Sequence, residues 1–362
     1  MKRVLCIVVF LICFSLNIKF ISAGDDGFIE VNSAETLIDC IKNVGACTLT
    51  SDITLSSQTD IDGNVIINLN GHSLLADESL ELKSGFISVS RGGKLTINDS
   101  KGTGKISTGN NEKIYAAINL LKDTNEENGA AEVVVNGGTI EGFYYGIVGN
   151  GTRHNTKITV NGGTIKGLNE DDSTGIFQPQ KGEIIINNGT ITGGTGIEIR
   201  SGSLTVNDGT IKGTAPFLKM SNGNGTTTEG VGIAVAQHTT KNPITVTIND
   251  GTISGEYAFY EWNAQGNDQA SLDKITLRIN GGEFISKDGI PTLYSEDFTK
   301  FVFGGNFSTT IDEKYLATAS ASKINNTSTS LESKTNNGVT YAGIGILLGG
   351  LVLGAVIFKM KM

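Results

Sequence analysis

Apolar and polar residues alternate in short bursts through the middle of this chain. VVVNGGTIEG begins at Val133, ITVNGGTIKG at Ile158, IIINNGTITG at Ile184, LTVNDGTIKG at Leu204, VTINDGTISG at Val246 and LRINGGEFIS at Leu277. The first and third residues of each are apolar (Val133/Val135, Ile158/Val160, Ile184/Ile186, Leu204/Val206, Val246/Ile248). That is the period of a short strand with one buried face. An asparagine closes each strand: Asn136, Asn161, Asn187, Asn207, Asn249 and Asn280. Gly, Asn or Asp follows, then Gly; these residues enter the left-handed backbone region at low cost, so the chain turns there. A Thr-Ile pair comes next, with Ile140, Ile165, Ile191, Ile211 and Ile253, and Phe284 in the sixth copy. It predicts a second strand with that residue inward. A third strand is read in YGIVG at Tyr145, TGIFQ at Thr174, TGIEI at Thr195 and VGIAV at Val231, and in YAFYEW at Tyr257, where Phe259 takes the Ile place.

The asparagines recur at unequal distances, from 20 residues between Asn187 and Asn207 to 42 between Asn207 and Asn249. Antiparallel hairpins would not keep equivalent residues at equivalent places while loops vary. A solenoid does, because each coil lies on the one before and extra residues leave as loops. Neighbouring strands then lie about 4.8 Å apart. The isoleucines form an internal column, and the asparagine amides can bond from coil to coil. Crossover handedness favours one sense. The fold class is therefore all-β: a right-handed parallel β-helix over 49–316. VIINLNGHSL at Val65 and KLTINDSKGTGKIS at Lys94 read as earlier coils, with AAINL at Ala116 in a third-strand slot. Residues 24–48 read as an N-terminal cap. In it, Ser33 to Val44 predicts a helix capped by Ser33, with Leu37, Ile38, Ile41 and Val44 on one face. Such a cap hides a strand edge that would otherwise invite aggregation. FVFGGNFSTTIDEKYL at Phe301 reads as a last coil with its cap.

The two ends differ in kind. Residues 1–23 have a signal-peptide pattern: Lys2 and Arg3, an apolar run, then Ile21-Ser22-Ala23. Thr340 to Phe358 is 19 residues without a charge, enough to cross a hydrocarbon core of about 30 Å as a helix. Lys359 and Lys361 in the tail 359–362 belong on the cytoplasmic side. Residues 317–339, rich in Ser, Thr and Asn and lacking aromatics, read as a stalk. The expected localisation is the cell surface, as a single-pass membrane protein with an extracellular N-terminal ectodomain.

Five of the 28 basic residues lie in the two ends and none of the 37 acids does, which leaves the exported part at a net charge of −14. Such a surface repels phosphate backbones, so no nucleic-acid partner is expected. Outside the leader the cysteines are Cys40 and Cys47. Export allows a disulfide between them or leaves two free thiols.

The NGGTIxG coils, INLNGHSL and GGNFSTTIDEKYL resemble the β-helix surface proteins of bacteria, often called adhesin-like, within the pectin-lyase-like superfamily. The resemblance spans roughly Gly27 to Leu316 and implies a cell-surface scaffold. It specifies architecture and hardly any activity. Gram-positive relatives of that kind often end in L-P-x-T-G, an apolar span and a basic tail. Here the span and tail match, but the nearest string, Glu332 to Asn336, lacks Pro and Gly. A plain membrane anchor is expected.

The same superfamily contains lyases and hydrolases, and glycosidic hydrolysis needs two or three carboxylates gathered at one place. Glu170-Asp171-Asp172 is the densest acidic run, with no His or Arg stacked beside it. The position after the second-strand Ile holds Glu141, Lys166, Thr192, Lys212 and Ser254, a mixed ladder. His72 reads as a corner residue, and His154 and His238 lie in separate loops without metal-ligand spacing. Neither cofactor nor metal is expected. The third strand is more suggestive. With Ile147, Ile176, Ile197, Ile233 and Phe259 inward, its outer face carries Phe177, Tyr260 and Trp262, with Glu198 and Arg200 between them. Exposed, these stack on sugars or anchor protein partners; alternatively the loop Thr214 to Gly230 folds over and buries them. The leading expectation is a non-enzymatic adhesin or scaffold that binds an extracellular glycan or surface protein. A polysaccharide lyase or glycoside hydrolase on the same fold, or a self-associating coat protein, is the alternative. GxxxG patterns at Gly345 and Gly350 allow self-association in the membrane.

Overall fold

A computed structural model of the protein describes residues 27–90, 92–120, 129–151, 156–221 and 225–317. Its strands form three large parallel sheets and one two-stranded antiparallel pair. The first has ten strands, from Ile29–Val31 and Ala46–Leu49 to Ile275–Ile279. The second has ten, from Ile53–Leu55 to Asn306–Phe307, and the third nine, from Thr59–Ile61 to Leu293–Ser295. The chain visits the three sheets in turn and returns to the first one strand further along, so each circuit is one coil of a parallel β-helix.

Register follows the repeat. Val133, Ile158, Ile184, Leu204, Val246 and Leu277 pair in succession in the first sheet. In the second sheet Ile140, Ile165, Ile191, Ile211, Ile253, Phe284 and Phe307 do the same. In the third the column runs Ile118, Ile147, Ile176, Ile197, Ile233, Phe259 and Leu293. All three columns belong to one core cluster. Each fully buried side chain of this size contributes about 1.5–3 kcal/mol. Any single-residue slip would turn the set outward.

The corners lock that register. Asn136 Nδ2 donates to Asn98 Oδ1 at 2.8 Å, and Asn161, Asn187, Asn207, Asn249 and Asn280 each donate to the rung before at 2.8 or 2.9 Å. Beside the ladder the chain turns through glycines. Gly209, at φ 110°, sits where an added Cβ would come within 2.8 Å of the Gly189 carbonyl oxygen. Only glycine suits that place.

The helix Ala34–Asn43 stands where the cap was expected. Ser33 Oγ accepts from the Thr36 amide, and Thr36 Oγ1 accepts from the Ser33 amide. Leu37 and Cys40 enter the core, but Val44 is 51% exposed. The helix has ended by then, and Val44 turns into Gly45 (φ 80°) instead of continuing the buried face. Cys40 and Cys47 are joined in a disulfide that ties the helix to the strand Ala46–Leu49. The coil of Ala46–Leu49, Ile53–Leu55 and Thr59–Ile61 has no Asn-Gly corner. Asn70 Nδ2 and Asp52 Oδ1 bond the next coil to it, at 3.0 and 2.8 Å. At the far end Val302 bridges Ile279 and Leu316, and the buried Tyr315 closes the core. The expected leader 1–23, all of the stalk 317–339 except Ala317, the apolar span 340–358 and the tail lie outside the described residues. Among the described residues, no helix is long and apolar enough to cross a membrane.

Core column and corner ladder should differ in weight. Ile191→Ala is expected to cost about 2–5 kcal/mol. Asn187→Ala, whose partners are solvent-exposed, should cost about 1–2 kcal/mol for two hydrogen bonds. Urea unfolding of both variants checks the order, and a larger loss at Asn187 would refute it.

Candidate functional site

In the third sheet the residue after each inward Ile faces away from the core. Val148, Phe177, Glu198, Ala234, Tyr260 and Tyr294 pair in succession along this outer column. Their apolar members form two clusters separate from the main core. One joins Tyr145, Val148 and Phe177; the other joins Ala234, Tyr260 and Trp262 with Phe217, Tyr257 and Tyr294. Glu198 and Arg200 lie between them.

This face is not displayed to solvent where the five named residues stand. Phe177 and Tyr260 are 4% exposed, Trp262 is 7% and Glu198 and Arg200 are 0%. Over Glu198, Arg200, Tyr260 and Trp262 the second of the two alternatives drawn from the sequence holds: the described parts of the loop, 214–221 and 225–230, lie across the face. They form a strap in which Leu218–Lys219 pairs antiparallel with Thr228–Glu229. Phe217 packs 4.7 Å from the Tyr257 ring and 4.9 Å from that of Tyr260, centroid to centroid. Lys219 Nζ stands 4.3 Å above the Trp262 ring and 2.8 Å from Glu296 Oε1. On the return limb the Thr227 amide and hydroxyl both donate to Glu198, at 3.0 and 2.8 Å. Trp262 Nε1 donates to Thr228 Oγ1 at 3.4 Å, and Thr195 Oγ1 to the Thr228 carbonyl at 2.6 Å.

The covered layer is polar and incompletely paired. Arg200 Nε lies 3.8 Å from Glu198 Oε1 and donates to the Ala236 carbonyl at 3.2 Å, while its Nη1 reaches the Gly225 carbonyl. Arg200 Nη2, Ser201 Oγ, Thr174 Oγ1 and both carboxyl oxygens of Glu229 have no hydrogen-bond partner, though buried. Burial pushes the Glu198 carboxyl up, against the pull of Arg200 and the Thr227 donors. Glu229, only 2% exposed, is pushed up to about 9 by burial and then by the charges of Asp172 and Glu198. Gly194 makes room for it, since an added Cβ would lie 2.6 Å from Glu229 Oε2. Asp172, in the exposed run Glu170-Asp171-Asp172, thus acts on a group from a different coil.

Sequence reasoning passed over the aromatics that do reach solvent. Tyr115 is 49% exposed, and its ring lies 5.8 Å from Tyr144 and 6.3 Å from Tyr145. Tyr145 stacks on Phe177 at 5.5 Å. At the other edge of the strap Tyr257 and Tyr294 are half-buried. Tyr145 and Tyr257 open third-sheet strands in the outward column with Thr174, Thr195 and Val231. Reading that column as well as the one after the Ile would have found them.

The remaining candidates fall away. His72 sits at a corner, 3.7 Å from Asp52. His238 is buried, and burial followed by Arg200 holds its imidazole down at about 4; His154 lies outside the described residues. The ladder Glu141–Lys166–Thr192–Lys212–Ser254 is in register as expected. Open grooves of about 520 and 550 Å³ run along two corners. The aspartates of the first, Asp208 and Asp250, are engaged by the amides of their own turns. The candidate site is therefore the outer face of the third sheet. Among the described residues no three His, Cys, Asp or Glu side chains gather as a metal site. Compared with protein-family models, curated proteins and solved structures, the chain matches none.

Glu229 gives the site a pH signature. Its carboxyl binds a proton more tightly folded than unfolded, so stability falls as pH rises toward about 9. Glu261, raised to about 7, adds to the fall around pH 7, so the upper part of the limb belongs to Glu229; His238, held down at about 4, has lost its proton well below that range. Between about pH 8 and 9 the unfolding free energy should decline, and Glu229→Gln should flatten that limb. Chemical denaturation across this window tests it; a limb unchanged in the variant would remove Glu229 as the cause.

Proposed function

We propose that this chain is a cell-surface scaffold: a right-handed parallel β-helix exported by its leader and held by the apolar segment 340–358. It acts without catalysis, as an adhesin-like module that binds an extracellular glycan or surface protein on the outer face of its third sheet. The observation that carries this reading is the pair of aromatic rows on that one face. Tyr115, Tyr144 and Tyr145 stand at one edge of the strap, and Tyr257 and Tyr294 at the other. Rings with one side apolar and a phenol at the rim suit sugar faces and protein hot spots alike. The acidic surface keeps the face from nucleic acid and adds no bar to neutral glycans.

A second reading draws on one observation. Glu229 is protonated at neutral pH and feels the charges of Asp172 and Glu198, carboxyls from other coils. A carboxyl kept protonated by burial is the general acid that a glycoside hydrolase uses.

A screen of glycans and matrix proteins against the chain separates the two. Tyr115→Ala and Tyr257→Ala should each weaken binding about tenfold, equivalent to about 1.4 kcal/mol. Ligand recovered intact supports the scaffold. Reducing ends released by the protein and lost in Glu229→Gln would replace it with the hydrolase.

A further inference from the structure

We propose that the face beneath the strap is an oligosaccharide site that the chain blocks with a hydroxyl-rich segment of its own. The inference rests on the reading that the third sheet binds glycans, and it places the main site under the strap instead of at its edges.

Three consecutive threonines make the case. Thr226 Oγ1 lies 3.2 Å from the Tyr145 phenol, Thr227 Oγ1 donates to Glu198 at 2.8 Å, and Thr228 Oγ1 accepts from Trp262 Nε1 at 3.4 Å. A phenol, a carboxylate and an indole N–H thus read three successive hydroxyls across an aromatic floor. These are the groups that read sugar hydroxyls while a ring face supplies apolar contact. The strap fits this floor imperfectly. Arg200 Nη2 and Thr174 Oγ1, at the third-sheet strands beside Glu198 and Thr195, remain buried and unpartnered. Buried polar groups left unpaired cost free energy, so an occupant that satisfies them competes with the strap on favourable terms. A peptide has few groups to offer there, whereas a sugar carries donors and acceptors around its whole rim.

The outgoing limb of the strap lies at the solvent edge, whereas the return limb with the three threonines is the buried one. Its outer side chain Leu218 is 52% exposed, and Lys219 holds Trp262 and Glu296 from the solvent edge. Neither of its short strands belongs to the three sheets, so lifting it breaks none of the solenoid's ladders.

Trp262 is the only tryptophan of the chain, so its emission reports on this face alone. The experiment compares the full-length chain with a variant in which 216–228 is replaced by Gly-Ser-Gly. Cellohexaose, maltohexaose, chitohexaose and a synthetic NGTTTEG peptide are the probes. The strap-less chain should bind at least one hexaose ten times more tightly or better, with a change in Trp262 emission. Equal affinity in both chains, binding of the peptide alone, or no binding to either overturns the inference. If binding is equal and Tyr115→Ala abolishes it, the edge site of the proposed function stands and the blocked site does not. Should the strap-less chain fail to fold, Lys219→Ala with Thr227→Val loosens the same latch. That double variant should gain several-fold in hexaose affinity, and no gain overturns the inference equally.

Discussion

Every part of the described structure depends on coils stacking in register. A parallel strand pair is satisfied only by a neighbour of the same direction, and a coil has an edge on both sides until another coil covers it. Placing Ile on Ile through the second and third sheets lets one short sequence solve the packing problem repeatedly. The asparagine corners then do for the turns what the isoleucines do for the interior. Since all three sheets share the register, a shift in one would have to be a shift in all.

That rigidity makes the departures informative. In the outer column of the third sheet, apolar Val148 and Phe177 give way to Glu198, then apolar residues return at Ala234 and Tyr260. A buried ion pair is rarely the most stabilising choice, because desolvation offsets its attraction. Glu198 and Arg200 are buried by the strap, not by the solenoid, so the strap bears that cost. Hydrophobic side chains under a permanent cover would have been simpler. The polar choice is intelligible where the cover is one of two occupants.

The repeat was legible because it is local: alternation, Asn, Gly and Thr-Ile each act within ten residues, and register follows once they recur. Asn136 to Asn280 could be named as a ladder for that reason. The path of 214–230 was not legible in the same way. Its residues offered this face as one place for it but could not decide between crossing it and leaving it open, since Phe217, Lys219 and Thr227 find partners on coils both before and after it. So Phe177, Tyr260 and Trp262 could be placed on the correct face while their exposure stayed open. The coil at 46–61 was hidden for the opposite reason, because it turns without the Asn-Gly signature. The pairing of Cys40 with Cys47 depended on where the helix ends, which spacing alone left undecided.

The asparagine ladder has a direction. Every rung donates through Nδ2 toward the N-terminal end and accepts through Oδ1 from the C-terminal side. The amide dipoles therefore align head to tail, and polarisation along such a chain strengthens each link. The negative pole falls at Asn280, and there the Arg278 guanidinium donates to Oδ1 at 2.7 Å while lying over the Phe303 ring. A cation at the oxygen end of an aligned array is the arrangement that steadies a helix C-terminus, reproduced here by side chains alone. The solenoid is thus electrically polar along its length, and its two ends are not interchangeable to a charged neighbour.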